Sequence, residues 1–238
     1  SDISASMITG DELMDNMIPE IPSNEHYHAD GQADDEDYTY TSFEESKMFR
    51  YGVKCSNCHN PHSGKLVLPG NLTCLQCHTK TFDSPSHHFH TINTAGAECK
   101  NCHAPAKYFM GNDLRHDHSF RVPRPDLSVQ YTTPNACTNC HKDKPAKWAA
   151  DAIVKWYGTK RKYNYVDDLI PGSKMDAASE PHLLKLLSDT ATPNIIKATA
   201  VNYLGAVNTP SSLNALMQAL KSADAQIRYE SLRSLMIF

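Results

Sequence analysis

No run of apolar residues in this chain approaches the ~20 needed to span a bilayer. No segment reads as a signal peptide, and the first residue is Ser1 rather than Met, so a processed or trimmed start is expected. Basic charge is in short supply. Lys+Arg number 23 against 27 Asp+Glu, for a net charge of -4, which removes the case for nucleic-acid binding because that would require a basic patch. Aromatic residues are 8% and hydrophobic residues 40%, with mean hydropathy -0.52, so a core made of protein alone is modest, at least in the first half. Residues 1–46 hold no Lys or Arg at all, while acidic residues from Asp2 to Glu45 recur along them. That composition reads as a solvated, partly extended arm, or else as one that docks on a partner or a basic face.

Cysteine and histidine are present, and they are patterned. All eight cysteines fall into four C-x-x-C pairs: Cys55/Cys58, Cys74/Cys77, Cys99/Cys102 and Cys137/Cys140. Each pair is followed at once by histidine: His59, His78, His103 and His141. This is the signature of covalent c-type haem attachment. Two thiols add to the two vinyl groups of one haem, and the adjacent histidine faces the iron as its proximal ligand. Two zinc sites of four thiolates each, disulfides of an exported protein and thioredoxin-like dithiols are the alternatives. None of them requires histidine at the fifth place, which here is filled in four of four. Four haem c groups are therefore expected. Thioether formation takes place outside the cytoplasm, so a periplasmic or extracellular protein follows.

Nine of the 13 histidines remain for the sixth position: His26, His28, His62, His87, His88, His90, His116, His118 and His182. Only His182 lies beyond the attachment region. The supply exceeds the four that bis-histidine iron needs. Methionine is the rival ligand and raises the potential; Met48 and Met110 are the nearest. His62 follows proximal His59 by three residues, too short a tether to round the same haem, so it suits a neighbouring one. In "SHHFH", His87 and His90 share a face if the stretch is helical.

The attachment motifs begin 19, 25 and 38 residues apart. Four haems so close in sequence leave little chain for separate pockets, so the macrocycles supply much of the apolar interior and lie near one another. Short helices and loops with almost no sheet are expected there. A short helix is expected around residues 11–17. "RVPRPDLS" reads as an extended, proline-stiffened connector, and its arginines, with Arg115, suit haem propionates or plain solvent. From Pro145 a helical apolar period runs through Trp148, Ala152, Ile153 and Trp156, followed by a loop at 159–180. "IIKATAVNYLG" and "QIRYESLRSLM" then align at a period of 31, pairing Ile196 with Ile227, Val201 with Leu232 and Leu204 with Leu235. Each follows an apolar helix, as in paired antiparallel helices of a HEAT-like type. Stacked repeats want a polar cap on the last unit, whereas this chain reaches "SLMIF". A partner over 235–238 or a longer parent chain is the expectation.

The stretches "YHADGQADDEDYTYTSFEESKMFRYGVKCSNCHNPHSGKL", "HHFHTINTAGAECKNCHAP", "RHDHSFRVPRPDLS" and "TPNACTNCHKDKPAKWAA" together resemble multihaem c-type cytochromes with doubled C-x-x-C-H motifs and a C-terminal helical-repeat tail (TPR or HEAT). The resemblance implies electron transfer in the periplasm and haems packed in close pairs. It favours His28, His62, His87, His90 and His118 as distal ligands; His116 stands where that family often has arginine. Such proteins commonly carry further haem motifs upstream, so the chain reads as the second half of one.

The fold class expected is mainly α with extensive loop: a multihaem cytochrome c segment organised by four covalent haems, then HEAT-like helical repeats. Residues 1–46 form an acidic N-terminal arm, 47–146 a tetrahaem cytochrome c domain and 147–238 a helical-repeat tail. The function expected is electron transfer along closely packed bis-histidine haems, with redox proteins as partners. The chain is read as a carrier and not an enzyme. The other class is an oxidoreductase acting on small nitrogen or sulfur oxyanions at an open haem; no attachment motif here replaces its histidine with lysine. A homo-oligomer or filament, in which the arm carries His28 to a neighbour's haem and the uncapped tail supports the contact, is a third expectation.

Overall fold

A computed structural model describes residues 2–3, 10–35 and 38–237. Glu36, Asp37 and Phe238, which belong to the expectations for the acidic arm and the apolar ending, fall outside the described residues. The protein is mainly helical with little sheet. It divides into two compact units, one joining Ser1–Glu45 to Arg161–Phe238 and the other formed by Ser46–Lys160. Arm and tail thus share a unit, and the helix Ala146–Tyr157, expected to begin the tail, belongs to the other.

The first unit holds the hydrophobic core. Its centre is the helix Asn194–Val207, which packs against Glu180–Ser188, Pro210–Ala219 and Ala225–Leu235. That central helix is apolar on nearly every side: Ile195, Ile196, Ala198, Ala200, Val201 and Leu204 are all buried. A helix hydrophobic all round must be enclosed, and Leu183, Leu186, Leu216 and Ile227 enclose it. Gly205 allows a close approach of Ala225–Leu235, since a Cβ there would stand 2.8 Å from Ser234 Cβ. Of the aligned positions, Ile196 and Ile227 are both buried, but Val201 is buried where Leu232 is exposed.

The arm does not lie free in solvent. Ile21 joins the core, Tyr203 OH accepts from the Asn24 backbone N–H at 3.0 Å, Gln226 donates to the Pro19 carbonyl at 2.7 Å, and Tyr165 donates to Glu45 at 2.8 Å. The physical reason is local. Ile21, Pro22, Tyr27 and Phe43 are spaced among the acidic residues, and a few buried apolar anchors outweigh an acidic average composition. The helix expected at 11–17 is one turn, Leu13–Asn16; Met17 then turns extended, and Met17–Ile18 pairs antiparallel with Asp2–Ile3. The loop expected at 159–180 contains a helix, Val166–Gly172, because Val166, Leu169 and Ile170 find core to bury in.

The second unit has hardly any protein core. Its buried apolar residues are Ala97, Ala104, Phe109, Leu127 and Ala149, whereas Leu66, Val67, Leu72, Phe82, Phe89 and Ile92 are exposed. One-turn helices at Cys55–Cys58, Leu72–Leu75, Pro85–His88, Cys99–His103 and Ala136–Cys140 alternate with turns. As expected there is almost no sheet, the exception being a short hairpin, Ala106–Phe109 against Asp113–His116. Met110 and Gly111 both take positive φ at its tip, the twist a tight antiparallel return needs. The extended connector is shorter than expected, because a helix begins at Pro125 and runs to Tyr131. Proline is preorganised for a first helical position, where its missing N–H costs nothing.

Candidate cofactor-binding site

Three C-x-x-C pairs sit on about one turn of helix, which brings residues i and i+3 to one face, while Cys74 lies in the helical turn Leu72–Leu75 and Cys77 in the turn after it. The histidine that follows folds back onto the first cysteine: His59 N–H donates to the Cys55 carbonyl at 2.8 Å, His78 to Cys74 at 3.0 Å and His141 to Cys137 at 2.9 Å. Each motif therefore presents two thiols and an imidazole from five residues. All eight thiols are free. Burial pushes Cys74 and Cys102 up to about 11 and raises Cys58, Cys99 and Cys137. Nucleophilic dithiols need the opposite shift. Cys74 is within hydrogen-bonding reach of Cys99. The charge of Cys77 acts on Cys58, and those of Cys137 and Cys140 act on Cys102.

Three of the four motif histidines face another histidine. The ring centres of His59 and His118 are 6.2 Å apart at an interplanar angle of 32°. His87 and His103 are 6.2 Å apart and nearly parallel at 8°. His90 and His141 are 6.2 Å apart at 38°. A metal–imidazole bond is about 2 Å long and the ring centre lies about 1 Å behind the nitrogen, so two imidazoles on opposite sides of one iron have centres about 6 Å apart.

Residues 47–82 match the family model of the doubled CXXCH motif.

That stretch contains Cys55–Cys58–His59 and Cys74–Cys77–His78, and such motifs imply covalently bound haem c. No curated protein and no solved structure matches the chain. The haem reading suits electron transfer, and the residues fit the group. The unit exposes the apolar side chains that a macrocycle would cover, and the imidazole pairs have the separation one iron demands. Their other nitrogens are fixed as well. Nδ1 of His59 bonds the Gly64 carbonyl at 2.7 Å, that of His103 the Arg121 carbonyl at 2.7 Å, that of His118 the His116 carbonyl at 2.8 Å and that of His90 the His88 carbonyl at 2.5 Å. Such bonds set the tautomer, leave Nε2 for the metal and raise ligand basicity. Burial lowers the pKa of His87, helped by neighbouring His103 and His88. Burial likewise lowers that of His118, with a smaller contribution from His59. In both rings the neutral form is favoured.

His87 and His90 do not share a helical face as the sequence suggests. The helix ends at His88, and Phe89 takes a left-handed conformation at φ 55°. The reversal sends His87 to His103 and His90 to His141. His88 faces no motif histidine; its ring lies 6.4 Å from that of His90 at 42°, and its Nδ1 accepts from the His90 backbone N–H at 3.2 Å. Gly96 is packed on the His90 ring so closely that a Cβ there would collide with it.

The remaining sequence candidates lie elsewhere. The one aromatic ring recorded against His78, among the described residues, is that of Phe82, edge-on at 6.0 Å. His62 is exposed on the turn after His59, where Asn60 caps its backbone N–H at 3.0 Å. His28 lies in the first unit with Nε2 3.0 Å from Asp34. In the same unit His26 approaches Glu20 at 3.4 Å, and His182 bonds Asp168 at 2.7 Å. His116 is tied to the Ala104 carbonyl at 2.5 Å. Met110 is exposed. The arginines suggested for propionates each have an acidic neighbour: Asp113 for Arg115, Asp117 for Arg121 and Asp126 for Arg124.

The apolar period through Trp148 and Trp156 does not show what their rings pack on, and no motif marks Tyr157 or Gly96. In the structure Trp148 packs on His141 at 4.7 Å, Trp156 stacks on Phe89 at 4.5 Å and 4°, and Tyr157 donates to the His87 carbonyl. The signal in the sequence was that both tryptophans of the chain fall in one helix beside the last motif.

Proposed function

We propose that the chain is an exported tetrahaem c-type cytochrome that carries electrons along closely packed bis-histidine haems. The observation that carries this reading is the set of three imidazole pairs at 6.2 Å, each joining a motif histidine to one outside the motifs. The assignments are His118 opposite His59, His87 opposite His103 and His90 opposite His141. The thioether positions are Cys55, Cys58, Cys74, Cys77, Cys99, Cys102, Cys137 and Cys140. When bound, each haem supplies one-electron chemistry between ferric and ferrous iron. The chain's own residues would hold the macrocycles and turn Nδ1 of His59, His103, His118 and His90 to carbonyl acceptors, which favours the ferric state.

The hydrogen-bonding approach of Cys74 to Cys99 supports close packing of the second and third haems. Two imidazoles per iron leave no position for a substrate, so the chain is a carrier, with redox proteins as partners. The His78 haem takes its sixth ligand from His62 or His28. If His28 comes from a neighbouring molecule, the haems continue between copies as a homo-oligomer or filament. The helices of the first unit serve as HEAT-like scaffolding. A periplasmic or extracellular location follows from where thioethers are formed, and among the described residues no helix is long and apolar enough to cross a membrane.

The second reading is an oxidoreductase of small nitrogen or sulfur oxyanions at the His78 haem. Phe82, not a histidine, is the ring beside His78, and that favours an open face there. Intact mass and a ferric EPR spectrum test both. Four haems add on the order of 2.5 kDa if the attachment rule holds. Wholly low-spin iron supports the carrier, and a persistent high-spin quarter supports the enzyme. A colourless polypeptide refutes both.

A further inference from the structure

The helix Ala146–Tyr157 touches the ligands of two different irons. Near its start Trp148 packs on His141, ring centres 4.7 Å apart. At its end Trp156 and Tyr157 grip the segment that carries His87. Trp156 stacks face to face on Phe89, the residue whose positive φ reverses the chain between His87 and His90. A bulky residue in that conformation is costly and persists only where its surroundings hold it. Tyr157 stands edge-on to both Phe89 at 5.8 Å and His87 at 6.2 Å. Its hydroxyl donates to the His87 carbonyl and lies 3.4 Å from His87 Nδ1.

Building on the haem reading above, we propose that this helix is a positioning strut and that Tyr157 tunes the iron between His87 and His103. With Nε2 turned to the metal, Nδ1 of His87 carries the proton and points it at the Tyr157 oxygen. That oxygen passes its own hydrogen to the His87 carbonyl, so one hydroxyl fixes both the backbone and the ring. An acceptor at Nδ1 makes the imidazole a stronger donor and favours ferric iron. The same grip keeps the His87 plane within 8° of His103, and the angle between ligand planes sets the spread of the low-spin ferric g values.

The test uses the full chain with its haems, counted first by pyridine haemochrome; a preparation without haem would overturn the haem reading and the proposal with it. Tyr157→Phe keeps the ring and removes the hydroxyl. In a potentiometric titration followed by EPR, one haem should move to higher potential and change its g values, while the others stay put. Trp148→Leu should instead perturb the haem of His141. Trp156→Phe, which retains a stacking face, should perturb less than Trp156→Ala. Unchanged potentials and g values in Tyr157→Phe, with full haem content, would overturn the proposal. So would equal disturbance of every haem, which marks a merely structural role.

Discussion

Replacing Gly96 with alanine probes the His90 assignment with a single methyl group. Gly96 has no left-handed φ, so the substitution adds no backbone strain and its effect is steric. The new Cβ would stand 2.5 Å from His90 Cγ and 2.9 Å from His90 Nε2, against about 3.5–4.0 Å for carbon atoms in ordinary contact. The ring, whose Nδ1 is tied to the His88 carbonyl, must retreat by roughly 1 Å to restore such contact. A metal–nitrogen bond of about 2 Å cannot stretch by half its length, so His90 leaves the iron or drags the His88–His90 segment with it. Overpacking of this kind costs about 1–3 kcal/mol, which the folded protein can absorb. The expected outcome is an intact, fully haem-loaded chain in which one iron in four becomes high-spin, read by EPR and the ferric absorption bands. Gly96→Ala with an undiminished low-spin signal would show that His90 holds no iron.

Two further outcomes follow from the same geometry. His118→Ala should convert the iron of His59 to high spin. His116→Ala should leave spin state unchanged, because the ring that faces His59 is that of His118; the reverse result would exchange their roles. In the first unit, burial raises Glu44 to about 7, the negative charge of Asp224 adds to the rise, and a hydrogen bond from Tyr40 opposes it. The folded state keeps a proton that the unfolded chain releases near its ordinary value of 4.5. Stability should therefore fall as pH rises from 4.5 to about 7 and level off above, by up to roughly 3 kcal/mol before allowance for solvent screening. Urea unfolding across that range should show the slope in the wild type and lose it in Glu44→Gln.

Attachment chemistry was legible without coordinates because it is local: two thiols and an imidazole within five residues make their own geometry on one helical turn. The long helices of the tail were legible for the same reason, since a 3.6-residue apolar period declares itself within a dozen positions. The arm misled, because an average over its acidic residues hid Ile21, Pro22 and Tyr27, and their burial depends on helices some 150 residues away in the chain. Histidines in the right number could be counted, but not paired. Pairing was decided by the left-handed turn at Phe89, the hairpin leading to His116 and His118, and the aromatic end of the helix Ala146–Tyr157. None of these is a property of the histidines themselves. A ligand's identity resides in one side chain, whereas its partner depends on where two distant backbones bring it, and only tertiary packing sets that distance.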